Sequence, residues 1–196
     1  MQQPQLIEVK QKLDKVGCGF CLAKWTQVTI HLGSGLTHSC HHVKAHPIDL
    51  NELAENPGAL HNTGFKKNVR KQMLNNERPN ECDYCWRVED SGSDSLSDRT
   101  YKSAEPWSQS YLEDIVSKPW DDNVNPSYLE VSFSSVCNFK CSYCSPQVSS
   151  KWMEDIKQNG EYPDGAHNLD YLKQNGKFPY AHNEDNPSRS VGISTE

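Results

Sequence analysis

The chain has 196 residues, 35% of them hydrophobic, a formal net charge of −6 and eight cysteines. A chain of this size and composition buries one modest core or two small ones. Its negative charge gives no long-range attraction to nucleic acid or to an anionic membrane surface, so neither is expected as a partner. No window approaches the roughly 18 consecutive apolar residues of a transmembrane helix, and residues 1–6 lack the basic-then-apolar pattern of a secretion signal. A cytoplasmic protein is therefore expected, in which cysteines serve metal or redox chemistry rather than disulfides.

Leu6, Val9, Leu13 and Val16 recur at helical spacing and predict an amphipathic helix ending at Gly17, followed at once by Cys18 and Cys21. Val28, Ile30 and Leu32 then alternate with Thr29 and His31, and Gly33-Ser34-Gly35 turns the chain into residues 36–40, the signature of a β-hairpin. Pro47 to Leu50 open a short helix toward Glu55. Phe65, Val69 and Met73 mark another by their four-residue spacing, closed by Asn75, Asn76 and Pro79. Lys66, Lys67, Arg70 and Lys71 on that helix read as a solvated face rather than a dock for nucleic acid or an acidic leader peptide. Likewise His41 and His42 read as surface residues at a strand end, and Trp86 as core packing.

Between Glu89 and Arg99 the composition shifts to Ser, Asp and Gly with Leu96 as the one apolar residue, which predicts a surface linker. The expected organisation is a module over 1–90, a linker over 91–105 and a second domain over 106–196. In that second part Tyr111, Leu112 and Ile115 predict a short helix, and Leu129, Val131 and Phe133 a strand bounded by Pro126. Ser149 or Ser150 can cap a helix with Trp152 and Ile156 on one face, and Asn159-Gly160 supplies its stop. Beyond it only 169–172 hint at a helical turn. The class is α+β or α/β.

The segment Cys137-Asn138-Phe139-Lys140-Cys141-Ser142-Tyr143-Cys144 places three soft thiolates on a loop after a strand. Three such ligands suit an iron-sulfur cubane with one open iron, whereas a closed structural site takes four. This segment resembles the cluster motif of the radical S-adenosylmethionine superfamily at every position. The resemblance implies that Cys137, Cys141 and Cys144 hold a 4Fe-4S cluster whose open iron binds S-adenosylmethionine. It also implies that Tyr143 sits beside the adenine and that reductive cleavage yields a 5'-deoxyadenosyl radical. In that family the loop follows the first strand of a partial (β/α) barrel; residues 127–134 would be that strand, with the helix after the loop completing the first βα unit. The Gly-Gly-Glu strand of the family has no counterpart here, since Asn159-Gly160-Glu161 reads as a helix C-cap. Nor does the sequence offer parallel neighbours for the strand 129–133. A truncated or split gene product, inactive or weak as it stands, is the expectation.

Five further cysteines lie upstream: Cys18 and Cys21, Cys40, then Cys82 and Cys85. Their grouping around a hairpin resembles the twitch and SPASM modules that carry auxiliary clusters in radical S-adenosylmethionine enzymes. That likeness implies a second 4Fe-4S cluster on Cys21, Cys40, Cys82 and Cys85, with Cys18 spare. A zinc site on the two Cys-x-x-Cys knuckles, Cys18, Cys21, Cys82 and Cys85, is the competing arrangement. Two functions stay open on these residues. One is a radical enzyme acting on a peptide or other substrate, with the rest of the barrel as a partner; the other is a noncatalytic zinc or iron-sulfur module that binds a partner.

Overall fold

The computed structural model describes residues 3–92, 95–134, 136–142, 144 and 149–160. Tyr143 and the turn expected at 169–172 lie outside them. The chain is α+β, with many short helices around a four-stranded sheet. The described residues divide into two units: residues 3–30 with 36–131, and residues 31–35 with those from 132 to 160.

The first unit opens on α1 (Gln3–Val16), whose Leu6, Val9 and Leu13 are buried along one face, as a 3.6-residue period requires. A helical turn, α2 (Ala23–Thr26), feeds directly into β1 (Gln27–His31), and β2 (Leu36–His38) returns beside it. β3 (His46–Pro47) pairs antiparallel with β2, Thr37 opposite His46. Pro47, expected in a helix, is thus in the sheet; α3 (Leu50–Glu55) starts later, where the Asp49 carboxylate accepts from the Asn51 N–H. After it come α4 (Gly64–Leu74), capped by Thr63, and α5 (Asp83–Asp90).

Residues 91–105, expected as a linker, contain α6 (Asp98–Ala104), and the compact unit runs on through α7 (Pro106–Gln109) and α8 (Leu112–Val116) to Val131. The reason is Arg99. Its buried guanidinium bonds Glu89 through Nε and Nη2 (2.9 and 2.8 Å), Asp14 (2.7 Å) and the Phe20 carbonyl (3.0 Å), which fastens the polar stretch to α1 and α5. α1 and α6 pack directly on each other.

The strand β4 (Tyr128–Ser132) forms as expected but has the parallel neighbour that the sequence did not reveal. It lies at the sheet edge in the order β3-β2-β1-β4. Ser127 N–H donates to the Thr26 carbonyl (2.9 Å), and Thr29 meets Glu130 three residues further along both strands (3.1 Å), a parallel register. Segments a hundred residues apart in sequence therefore share one small sheet.

In the second unit α9 (Ser150–Asn159) is capped by Ser149, which accepts from the Trp152 N–H, and ends at Gly160 with φ 84°. That left-handed conformation suits glycine. Among the described residues, no helix is long and apolar enough to cross a membrane.

Candidate metal centre

Four of the five upstream cysteines line one cavity of the first unit: Cys21 after the α1 turn, Cys40 after β2, and Cys82 and Cys85 at the start of α5. The cavity volume is about 20 Å³, room for about one water. Val43 and Trp86 give it apolar walls, and the Trp86 indole N–H is satisfied by the Pro79 carbonyl at 2.8 Å. Trp86 is therefore core packing and cavity wall at once. Cys21, Cys82 and Cys85 are buried, while Cys40 is half-buried.

Cys18 stands apart. Its N–H donates to the Asn76 side chain (2.7 Å) and its thiol to the Asn76 carbonyl (3.1 Å), and it does not line the cavity. The knuckle arrangement that used Cys18 in place of Cys40 is thus not the one the fold assembles. Two glycines decide this. A Cβ on Gly17 would collide with the Met73 carbonyl and one on Gly19 with the Glu77 carbonyl, so only glycine lets the chain around Cys18 lie against residues 73–78.

Burial in this cavity disfavours the thiolate form of its cysteines. Burial pushes the Cys82 thiol up to about 12, with Glu81, Cys85 and Cys40 adding to it and Lys24 opposing. Cys21 is raised further, by burial and then by Cys82, Cys40 and Cys85. Cys85 is also raised by burial, against hydrogen bonds from Ser97 and Arg99. Without a metal Cys21, Cys82 and Cys85 are protonated, and a metal must displace those protons.

Lys24 lines the same cavity, 3% exposed, and pairs with Glu81. Burial works against its charge, but Cys82, Glu81 and Cys21 outweigh burial and raise its pKa. Behind it lie Lys66 and Arg70, which correct the expectation of a solvated basic face: they are 2% and 0% exposed. Lys66 Nζ donates to Thr37 Oγ1 (2.9 Å). Arg70 donates to the Lys24 carbonyl (3.1 Å) and Asn62 Oδ1 (2.8 Å), and stacks over Trp25 at 5.7 Å. These acceptors are neutral. Burial, then Arg70 and Lys24, push Lys66 down to about 7, and burial takes Arg70 to about 10. Burying cations on neutral acceptors is costly; four thiolates around a divalent metal or an oxidised cubane carry roughly two net negative charges and would offset them.

Donor chemistry, burial and charge all fit a metal-thiolate group on Cys21, Cys40, Cys82 and Cys85. The Ser39 hydroxyl next to Cys40, buried and without a partner among the described residues, is a further donor suited to a sulfur acceptor. Among the described residues, the three-donor group gathered within 4.8 Å is His41, His42 and Asp98 rather than any three of the thiols. A tetrahedral zinc with Zn–S near 2.3 Å would draw its sulfurs to about 3.8 Å, while a cubane holds them wider apart.

In the second unit Cys137, Cys141 and Cys144 sit on a loop tied to the first turn of α9. Cys137 N–H donates to Ser150 Oγ (3.0 Å), which lies 3.1 Å from the Cys137 carbonyl. Ser149 Oγ donates to the Phe139 carbonyl (3.0 Å), and the Trp152 indole N–H to the Cys141 carbonyl (3.0 Å). Lys140 reaches Asp155 at 2.6 Å. These bonds tie Cys137, Phe139 and Cys141 to the first turn of α9, and the three cysteines are half-buried.

Charged cavity residues that the sequence reading missed are Lys24, Asp98, Arg99 and Lys102. For Lys66 and Arg70 a signal existed: with Val69 and Met73 they form an i, i+3, i+4, i+7 stripe, the true buried face of α4. Phe65, taken as part of it, is exposed. No protein-family model, curated protein or solved structure matches this chain.

Proposed function

We propose that the chain is an iron-sulfur protein of the radical S-adenosylmethionine type. It carries an auxiliary 4Fe-4S cluster on Cys21, Cys40, Cys82 and Cys85 and an S-adenosylmethionine-binding 4Fe-4S cluster on Cys137, Cys141 and Cys144. The observation that carries the reading is the sorting of the cysteines: four line one cavity in one unit, three sit on one pinned loop in the other, and Cys18 joins neither. A closed set of four suits a cluster buried for structure or electron transfer, and an open set of three leaves one iron for a ligand.

On this reading β4 and α9 are the first βα unit of a partial barrel, and residues 1–90 are a twitch-like module. When bound, the open cluster supplies one-electron reduction of S-adenosylmethionine. The chain's own residues do the rest. Ser149, Ser150 and Trp152 hold the three-cysteine loop in shape; Val43 and Trp86 keep water from the four-thiol cavity; and Lys24 sets a positive charge beside Cys21 and Cys82. A peptide or other hydrogen-donating molecule is the substrate class proposed, and the remainder of the barrel the partner.

Anaerobic reconstitution with iron and sulfide tests this. About eight irons per chain and visible cluster absorbance are expected, with at most weak methionine release from S-adenosylmethionine under reductant. Stoichiometric zinc, no visible absorbance and no cleavage would show a noncatalytic zinc module instead.

A further inference from the structure

Beside the thiol cavity a second set of donors converges. His41 and His42 follow Cys40 on the loop after β2, and Asp98 is the first residue of α6. Both imidazoles turn Nε2 onto the same carboxylate oxygen: His42 Nε2 lies 2.7 Å and His41 Nε2 3.3 Å from Asp98 Oδ2. One ligand atom from each residue falls within a 4.8 Å circle. Their rings are 4.0 Å apart, a close approach for two groups that repel each other once protonated.

The set is also held from behind. The His42 ring stacks on Tyr84 at 3.6 Å and 14°. Asp98 is fixed between Ser97, which donates to Glu89 (2.6 Å), and the buried, fully paired Arg99. His38 Nδ1 meets the Cys40 carbonyl at 2.9 Å and steadies the loop from which both histidines project.

We propose that His41, His42 and Asp98 form a separate binding site for a divalent transition-metal ion on the rim of the thiol cavity. Metal–nitrogen and metal–oxygen bonds near 2.0–2.2 Å place tetrahedral donors about 3.3 Å apart. The His41–Asp98 separation already has that value, and His42 has to withdraw by about 0.6 Å. Two imidazoles with one carboxylate select zinc, cobalt, nickel or iron(II) over magnesium or calcium, which take oxygen ligands. Three protein ligands leave at least one position open for water or an exogenous ligand. The site shares no donor with the four cysteines, and it stands whether or not they hold a cluster.

Cobalt(II) is the probe, because thiolate coordination gives intense near-ultraviolet charge transfer and histidine-carboxylate coordination gives weak visible bands alone. Cobalt titration of the reduced, full chain should show one equivalent of the second kind in addition to any thiolate-bound ion. In His41→Ala and in Asp98→Asn that equivalent should weaken by at least the roughly 10–100-fold that losing an outer-shell partner costs, with the thiolate band unchanged. The proposal is overturned if all bound cobalt carries thiolate charge transfer, or if the weak-band cobalt survives both substitutions. Should Asp98→Asn fail to fold, His41→Ala decides alone, since the His41 side chain is 57% exposed and its removal leaves the core intact.

Discussion

Replacing Lys66 by methionine should stabilise the thiol form of the protein. Lys66 is 2% exposed, its ammonium bonds the neutral Thr37 hydroxyl, and its pKa is lowered to about 7 by burial, then by Arg70 and Lys24. An unfolded lysine titrates near ~10.4. Between those values the unfolded chain holds a proton the folded chain has released, so stability attributable to this group rises with pH across that window. At about 1.4 kcal/mol per pH unit, the buried ammonium costs about 4 kcal/mol at pH 7 and about 2 kcal/mol at pH 9. Methionine has similar length and no charge, and loses one hydrogen bond of about 1 kcal/mol. Lys66→Met should therefore gain about 3 kcal/mol at pH 7 and about 1 kcal/mol at pH 9. Urea unfolding of both proteins, reduced and with chelator, measures this, and taking the difference cancels the cysteine titrations common to both. With the metal-thiolate centre assembled, the gain should shrink, because the cation then has a counter-charge. A variant less stable than the parent by the same margin at both pH values would refute the reasoning.

Cys40→Ser should remove about four irons per reconstituted chain and leave the Cys137 set loaded, while Cys18→Ser keeps full iron, since serine can make the same bond to the Asn76 carbonyl. Iron assay and visible absorbance report both. Burial, Arg70 and Lys66 lower His61 to about 3, so below pH ~6.5 only the unfolded chain takes up its proton; stability should fall by about 1.4 kcal/mol per pH unit from there toward pH 3. Unfolding midpoints of the parent and His61→Asn across that range check it, the variant having the shallower slope. Gly19→Ala should destabilise by more than about 2 kcal/mol through collision with the Glu77 backbone, seen as a lowered melting temperature. Trp152→Phe removes the bond to the Cys141 carbonyl and should speed iron loss from the three-cysteine loop alone, measured by chelator release.

The local elements and the cysteine grouping were legible in the chain. Leu6, Val9 and Leu13 share a helix face by period alone, the Gly33–Gly35 turn closes a hairpin within a few residues, and Ser149 and Gly160 cap α9 through bonds to their own neighbours. The set Cys21, Cys40, Cys82 and Cys85 came from the resemblance to twitch and SPASM modules, with Cys18, Cys21, Cys82 and Cys85 open beside it; that the first four line one cavity is a tertiary fact. The helices, turn and caps depend on interactions between residues near in sequence.

Tertiary structure alone decided the rest. Arg99 converts a Ser-Asp-Gly stretch from a linker into packed core by reaching Glu89, Asp14 and the Phe20 carbonyl; composition cannot register an ion pair with α1. The parallel union of β1 and β4 joins segments a hundred residues apart, and nothing in either strand names its partner. Lys24, Lys66 and Arg70 look like solvent-facing residues because exposure is what a charge prefers. Their burial follows only when they are placed in the core behind thiols whose ionised form would balance them.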